Sequence, residues 1–411
     1  MSQLPEGWVI KTIAELCEVA RGGSPRPIKQ FLTNDPNGVN WIKISDATAS
    51  TKYIYENKKK INPEGIARSR LVKEGDFLLS NSMSFGRPYI MKTTGCIHDG
   101  WLLLGDKFGE FDQDFLYHFL GSSAAYKQFD RLAAGSTVRN LNIDMVKGVQ
   151  VMLPPLSEQK RIVAILDKTF AGINQAVAHA EKNLANSREL FESYLNTIFT
   201  QKGEGWEEKR LENLTVKITK GSSPKWQGIE YVDEAGVLFI TSENVGTNTM
   251  IYKKTKFVEN KFNEKDSKSI LEKGDVLTNI VGASIGRTAV FDRDDTANIN
   301  QAVCLMRCDK KQLRNKYLSY LLNSPFFKQI LHDNEINNAR ANLSLGFFRS
   351  LEIPVPELIE QDRIVAHANT LLENTQHLKA IYRQKLNALT ELKQSILQKA
   401  FAGELTADTI Q

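Results

Sequence analysis

Glu158-Gln159-Lys160-Arg161-Ile162-Val163-Ala164 and Glu360-Gln361-Asp362-Arg363-Ile364-Val365-Ala366 are two versions of one heptapeptide in a chain of 411 residues. The first follows Pro154-Pro155 and the second follows Pro354-Val355-Pro356, and each opens a long stretch without proline. Working outward, further blocks recur in the same order. Gly7-Trp8 returns as Gly205-Trp206, Arg21-Gly22-Gly23-Ser24-Pro25 as Lys220-Gly221-Ser222-Ser223-Pro224, Glu74-Gly75-Asp76 as Lys273-Gly274-Asp275, and Gly86-Arg87 as Gly286-Arg287. The offset drifts from 198 to 202, as loops do between two copies of one unit. Five ordered blocks do not recur by chance, so the chain is written twice.

Each copy begins with short, apolar, β-branched runs between turn signals, for example Val39–Ile44, Asp76–Leu79, Val237–Thr241 and Asp275–Ile280, which predict strands. Helical patterns over Asp114–Leu120 and Lys316–Leu322 sit among them, the latter stopping before Asn323-Ser324-Pro325. The fold class is therefore α+β: two tandem mixed α/β globular domains, each followed by a long helix. Ser157 is placed to cap the first of these helices, with Glu158 favourable in its first turn. Ile162, Leu166, Thr169, Ile173, Ala176 and Ala180 alternate spacings of four and three. So do Ile364, Ala368, Leu371, Thr375, Leu378, Tyr382, Lys385, Leu389, Leu392 and Ile396. These are heptad seams, and roughly 45 residues at about 1.5 Å each give a rod on the order of 65 Å long. The two rods are expected to pair as an antiparallel coiled coil, because a whole domain intervenes for the chain to turn back. The alternative is that each packs only on its own domain. Phe170, Phe191 and Tyr194 lie off the seam, where they would face solvent or a partner.

Composition excludes several classes. Lys+Arg number 53 and Asp+Glu 48, a net charge of +5, which permits an anionic partner without requiring one. No apolar run approaches the roughly 18 residues of a membrane span. The opening MSQLPEGWVI carries no secretory signal. Cys17, Cys96, Cys304 and Cys308 form neither a disulfide framework nor a zinc site, so a reduced, cytoplasmic compartment is expected. There is no phosphate loop, dinucleotide fingerprint or nucleophile elbow, and His98, His118, His179, His332, His367 and His377 show no metal-ligand spacing. Asn34-Asp35-Pro36-Asn37 lacks the second proline and the aromatic of a base-flipping loop and reads as a turn. No catalytic residue, metal ligand or bound cofactor is expected.

What recurs instead is a set of polar, basic, glycine-bearing loops. Arg21, Ser24 and Arg26 match Lys220, Ser223 and Lys225, with Trp226 alongside. Lys43 and Ser45 lie where Thr241, Ser242 and Asn244 lie in the second copy. Asn81, Ser82 and Arg87 match Asn279, Ser284 and Arg287, and Arg139-Asn140 roughly matches Arg340 and Asn342. Arg reads guanine and Asn reads adenine, while Lys, Ser and backbone N–H groups hold phosphates. Frame residues repeat while the polar residues around them differ, which suggests one scaffold presenting two readers of double-stranded DNA.

The sequence resembles the specificity subunit of a Type I restriction-modification system. The resemblance rests on Leu4-Pro5-Glu6-Gly7-Trp8 and its echo Gly205-Trp206, on Leu153-Pro154-Pro155-Leu156-Ser157-Glu158-Gln159-Lys160-Arg161-Ile162-Val163, and on Ile353-Pro354-Val355-Pro356 leading to Glu360-Gln361-Asp362-Arg363-Ile364-Val365. The ending Ile396-Leu397-Gln398-Lys399-Ala400-Phe401-Ala402-Gly403-Glu404-Leu405 completes it. The first rod departs from that pattern, ending Ile198-Phe199-Thr200-Gln201-Lys202-Gly203 without Ala-Gly-Glu-Leu.

The resemblance implies target-recognition domains at 1–156 and 203–356, a central helix at 157–202 and a C-terminal helix at 357–411. Each domain would read one half of a split, asymmetric target, the two related by pseudo-twofold symmetry. The helices would set the spacer and dock two modification subunits carrying S-adenosylmethionine. Restriction subunits would add translocation and cleavage with ATP and Mg. This chain would perform none of that chemistry. Two other classes compete: a coiled-coil scaffold binding only proteins, and the recognition part of a fused methyltransferase-endonuclease. Salt-dependent binding to duplex DNA separates the first from a reader. A catalytic domain ahead of Pro5 would mark the second, and the recognition unit already starts there.

Overall fold

The apolar runs of the first copy fold as short strands in two sheets. The computed structural model describes residues 4–48, 50–81, 85–133, 140–233, 236–337 and 341–407. Phe77–Ser80 is buried along its whole length because it is an interior strand, paired antiparallel with Trp101–Asp106 on one side and Pro88–Met91 on the other. Cys17–Arg21 and Tyr53–Ile54 complete that sheet at its two edges. The second sheet runs Leu32–Thr33, Lys60–Ile61, Val39–Ile42, Gly95–Ile97, Arg70–Val72. Within it Val39–Ile42 and Gly95–Ile97 lie parallel, so both chains leave the sheet on the same side. The first predicted strand stops at Ile42 rather than Ile44. Lys43 N–H donates to the Asp46 carboxylate at 3.0 Å, and that acceptor turns the chain into a helix over Ile44–Ala47.

The second copy repeats the plan. Thr215–Lys220, Val303–Cys308, Val276–Asn279 and Thr288–Val290 form one sheet, and Tyr231–Val232, Phe257–Val258, Val237–Ile240 and Ala297–Ile299 the other. Again one pair, Val237–Ile240 with Ala297–Ile299, is parallel. In each copy a two-stranded ribbon joins the start of the domain to the segment entering the long helix. These are Val9–Thr12 with Gln150–Leu153, and Glu207–Arg210 with Glu352–Val355.

The long helices span Leu156–Gln201 and Leu358–Phe401. Ser157 lies within the first turn rather than at the cap, because the Pro155 carbonyl already accepts the N–H groups of Glu158 and Gln159 at 2.9 and 3.0 Å. The chain divides into two compact units, Met1–Ala180 with Lys385–Gln411, and Glu181–Gln384. Each unit holds the near half of one helix and the far half of the other. In the first, Ile162, Leu166, Phe170 and Ile173 share a core with Leu397, Ala400 and Phe401, and Phe401 meets the rings of Phe115 and Phe119 edge-on at 5.4 and 5.3 Å. In the second, Phe191, Leu195 and Phe199 share a core with Ile364 and Ala368, and Phe199 meets Tyr317 edge-on at 5.5 Å. The helix halves pack antiparallel: Lys393 stands over the Phe170 ring in one unit, and Tyr194 stacks on His367 in the other.

Two expectations about the seam change. Phe170 and Phe191 are buried, and Tyr194 is half-buried against His367, so they belong to the packed stripe. On the second helix Lys385 and Leu392 face outward, and Leu386 and Lys393 take the inward positions. An α-helix has about 3.6 residues per turn, so a strict 3.5 repeat drifts off the contact face. Two successive steps of four, Leu378 to Tyr382 to Leu386, restore it.

Candidate nucleic-acid interface

The topology gathers one end of several strands in each unit. In the first, Arg21 ends an edge strand opposite Leu102, Ser80 ends the next interior strand opposite Trp101, and Ile97 pairs with Arg70 at the start of another. The loops leaving these ends converge on Asp99. Arg21 Nε and Asn81 Nδ2 donate to the Asp99 carbonyl at 2.9 and 2.8 Å. Ser24 Oγ donates to its carboxylate at 2.6 Å, and the exposed Arg26 guanidinium lies 3.6 Å from the other carboxylate oxygen. The Ser24 hydrogen bond holds the Asp99 carboxyl below its ordinary pKa. Arg70 Nε donates to the Arg21 carbonyl at 2.8 Å. Burial depresses the neighbouring His98 imidazole, whose Nδ1 accepts the Gly100 N–H at 2.9 Å. Gly22 must be glycine here, since a Cβ would stand 2.1 Å from the His98 carbonyl oxygen.

Four sequence-predicted residues, Arg21, Ser24, Arg26 and Asn81, thus meet at one acid that sequence reasoning missed. Lys43 is half-buried close to His98, and Ser45 is exposed in the next turn. Asn140 is exposed, next to Leu141, whose N–H donates to the Asn81 carbonyl at 2.9 Å. Arg87 behaves differently: its guanidinium donates to the Ser50 carbonyl at 3.3 Å and lies over the Tyr89 ring. Ser82, Arg139 and Arg340 lie outside the described residues.

The second unit has the same strand ends with a different fastening. A Cβ at Gly221 would stand 1.7 Å from the Ile299 carbonyl oxygen, the same close approach as at Gly22. Asn244 occupies the place of Asp46: its Oδ1 accepts from Thr241 N–H and Oγ1 at 2.9 and 3.0 Å, and its Nδ2 donates to the Ile251 and Lys254 carbonyls. Asn279 Nδ2 donates to the Ser242 carbonyl at 2.9 Å and to Ser284 Oγ at 3.2 Å. Asn81, Thr241, Asn244 and Asn279 are buried, and the amides and hydroxyl they were expected to offer to bases hold loops together instead.

The match of Asn81 to Asn279 is also off by one residue. Asn279 N–H bonds the Arg287 carbonyl as Ser80 N–H bonds that of Arg87, so Asn81 stands where Ile280 stands. Lys220, Lys225 and Arg287 are exposed; Ser223, Ser242, Ser284 and Asn342 are half-buried. By the same pairing Asp99 corresponds to Gln301, an exposed amide that the sequence reading passed over. No local signal marks Asp99 or Gln301, because their neighbours arrive from strands far apart in the chain. Among the described residues, no group of three or more His, Cys, Asp or Glu side chains is placed to hold a metal ion, and no helix is long and apolar enough to cross a membrane.

The family model of the Type I restriction modification DNA specificity domain matches twice, over residues 5–183 and 203–390. The specificity subunit of the Type I restriction enzyme MjaVIII of Methanocaldococcus jannaschii is 22% identical over 98% of this chain and 94% of its own length. The EcoKI specificity subunit of Escherichia coli is 23% identical over 98% and 90%. A chain from a structural study of complex assembly and conformational transition of the type I R-M system superposes with a TM-score of 0.80 at 20% identity, covering 98% of this chain and all of that one. The HsdS subunit of Thermoanaerobacter tengcongensis superposes with a TM-score of 0.61 at 21% identity, covering 98% of both.

Proposed function

The chain belongs to the Type I restriction-modification DNA specificity family, and from that premise we propose how its two copies divide the reading of a split target. Residues 1–156 read one half-site and residues 203–356 the other, each through the strand-end loops described above. The exposed members make the contacts: Arg21, Arg26, Ser45 and Asn140 in the first domain, and Lys220, Lys225, Arg287 and Gln301 in the second. Arginine and the amides address base edges, and lysine and serine address phosphates. The buried asparagines act as positioning residues that hold those loops in shape.

One observation carries this reading. The two units share a backbone frame, down to a glycine required at Gly22 and Gly221, while the side chains they present differ. Asp99 stands in one where Gln301 stands in the other, and Pro27 where Trp226 stands. A duplicated frame with unlike readers suits a bipartite, asymmetric target. The helices at 157–202 and 357–411 set the gap between the halves and dock two modification subunits. S-adenosylmethionine belongs to those subunits, and ATP and Mg to the restriction subunits, all in the cytoplasm.

The test is to co-express the chain with its neighbouring modification subunit and sequence the methylated adenines of the host genome. Methylation at one motif of two unlike halves with a fixed gap is expected. A stable complex that methylates no such motif would refute the division of labour.

A further inference from the structure

Tryptophan is ordinarily well buried, yet Trp226 is 82% exposed on a turn held firmly from below. Pro224 and Ile229, on either side, are buried, and Ile229 packs with Phe239 and Phe262. Ser222 Oγ donates to the buried Asp266 carboxylate at 2.6 Å, and Gln227 Nε2 donates to Ser222 Oγ at 2.5 Å. Lys265 Nζ donates to the Gln227 carbonyl at 2.7 Å, and Gly228, at φ 68°, closes the turn. The backbone beneath the indole is therefore fixed while the ring stands clear of the domain. Lys225 precedes it on the same turn and Lys220 ends the strand that leads into that turn; both are exposed, and neither has an ion-pair partner among the described residues. The corresponding position of the first copy is Pro27, so this feature belongs to one reader only.

We infer that Trp226 is a specificity-determining contact of the second recognition domain, its indole lying against base edges of the second half-site while Lys220 and Lys225, on the strand and turn that carry it, hold phosphates. The inference rests on the reading of residues 203–356 as a DNA-reading domain. The chemistry fits that occupant: the two cations seek phosphates, and a flat apolar ring on the same turn matches the apolar groups that base edges carry, such as the thymine methyl.

The experiment uses the complex reconstituted with the modification subunit and a labelled duplex carrying the motif found from methylated adenines. A second duplex has the second half-site scrambled. Trp226→Ala is expected to weaken binding to the intact duplex about tenfold, the scale of one good base contact. On the scrambled duplex it should bind like the parent, and Trp226→Phe should recover most of the loss. The melting temperature should not move, since the ring lies outside the core. Equal loss on both duplexes, or no loss on either, overturns the inference. Arg287→Ala is measured alongside. If it loses the second half-site while Trp226→Ala does not, the Trp226 contact fails and the domain assignment stands. If the parent complex itself does not discriminate the duplexes, the domain assignment fails as well.

Discussion

Replacing Gln159 by glutamate changes one buried nitrogen into oxygen and tests what fastens the long helices. The Gln159 side chain is fully buried. Its Oε1 accepts the Asp112 N–H at 2.7 Å, and its Nε2 donates to the carbonyls of Glu110 and Pro154 at 3.0 and 2.8 Å. Gln361 repeats this in the second unit with Arg314 N–H at 2.8 Å and the carbonyls of Gln312 and Pro356, both at 2.9 Å. In Gln159→Glu the new oxygen faces two carbonyls. Protonated, the carboxyl satisfies one and orphans the other, a loss of about 1–3 kcal/mol. Ionised, it repels both without water to screen it, so its folded pKa rises above the unfolded value of about 4.3. The folded state then holds the proton more tightly. Its stability relative to the parent falls as pH rises from the unfolded pKa toward the folded one, by about 1.4 kcal/mol per pH unit. Between pH 4.5 and 7 that adds about 3 kcal/mol to the deficit, a large part of the roughly 5–15 kcal/mol that stabilises a domain. Urea unfolding of the parent, Gln159→Glu and Gln159→Leu at pH 5 and 7.5 gives the result. A deficit of Gln159→Glu that does not grow with pH would refute the argument, as would a Gln159→Leu variant within about 1 kcal/mol of the parent.

Lengthening both long helices by seven residues near their middles keeps the heptad phase and adds about 10 Å. The gap in the methylated motif should grow by about three base pairs, and an unchanged gap would end the spacer assignment. Asp99→Asn removes the charge that Ser24 and Arg26 converge on. The complex should bind non-cognate duplex more tightly, with a salt dependence steeper by about one counterion, and discriminate the first half-site less. Titration of a labelled duplex with salt reads both. His118, hydrogen-bonded to Asp167 at 3.0 Å, is pushed below its ordinary pKa chiefly by burial. The unfolded chain therefore takes up that proton first, so stability is full above about pH 6.5 and declines as pH falls below it. His118→Phe should flatten that part of the pH–stability profile, measured by urea midpoints at pH 5.5 and 7.5.

The helices and the duplication were legible because their signals are local in sequence. The Glu-Gln heptapeptide repeats because a buried carboxamide makes the same three bonds twice, and the apolar stripe follows helical spacing. The end of the seam was less legible. A strict heptad put Lys385 and Leu392 inward, and only the accumulated drift of a real helix shows why Leu386 and Lys393 take those places. The candidate site was legible by residue type but not by role. Asn81 and Asn279 look equivalent in the sequence, yet they sit one position apart in the frame and both face inward. Asp99 draws its partners from positions 21, 24, 26 and 81, a proximity that only strand order and register create.

That separation of buried fasteners from exposed readers explains how one frame can serve two half-sites. Exchanging the exposed Lys225, Trp226 or Gln301, which the proposed reading sets against DNA, leaves the core untouched, and such surface changes usually shift stability by no more than about 0.5 kcal/mol. Exchanging Asn279 or Gln361 would strand buried carbonyls and N–H groups and cost several times as much. Readers are therefore free to diverge while fasteners are not. The divergence reaches the electrostatics: Asp99 sits beside Arg21 and Arg26 and cancels part of their charge, whereas neutral Gln301 stands in its place in the second copy, where Lys220, Lys225 and Arg287 have no ion-pair partner among the described residues. The second domain should accordingly draw more of its affinity from phosphates, and the first more from the geometry that Asp99 imposes on its arginines.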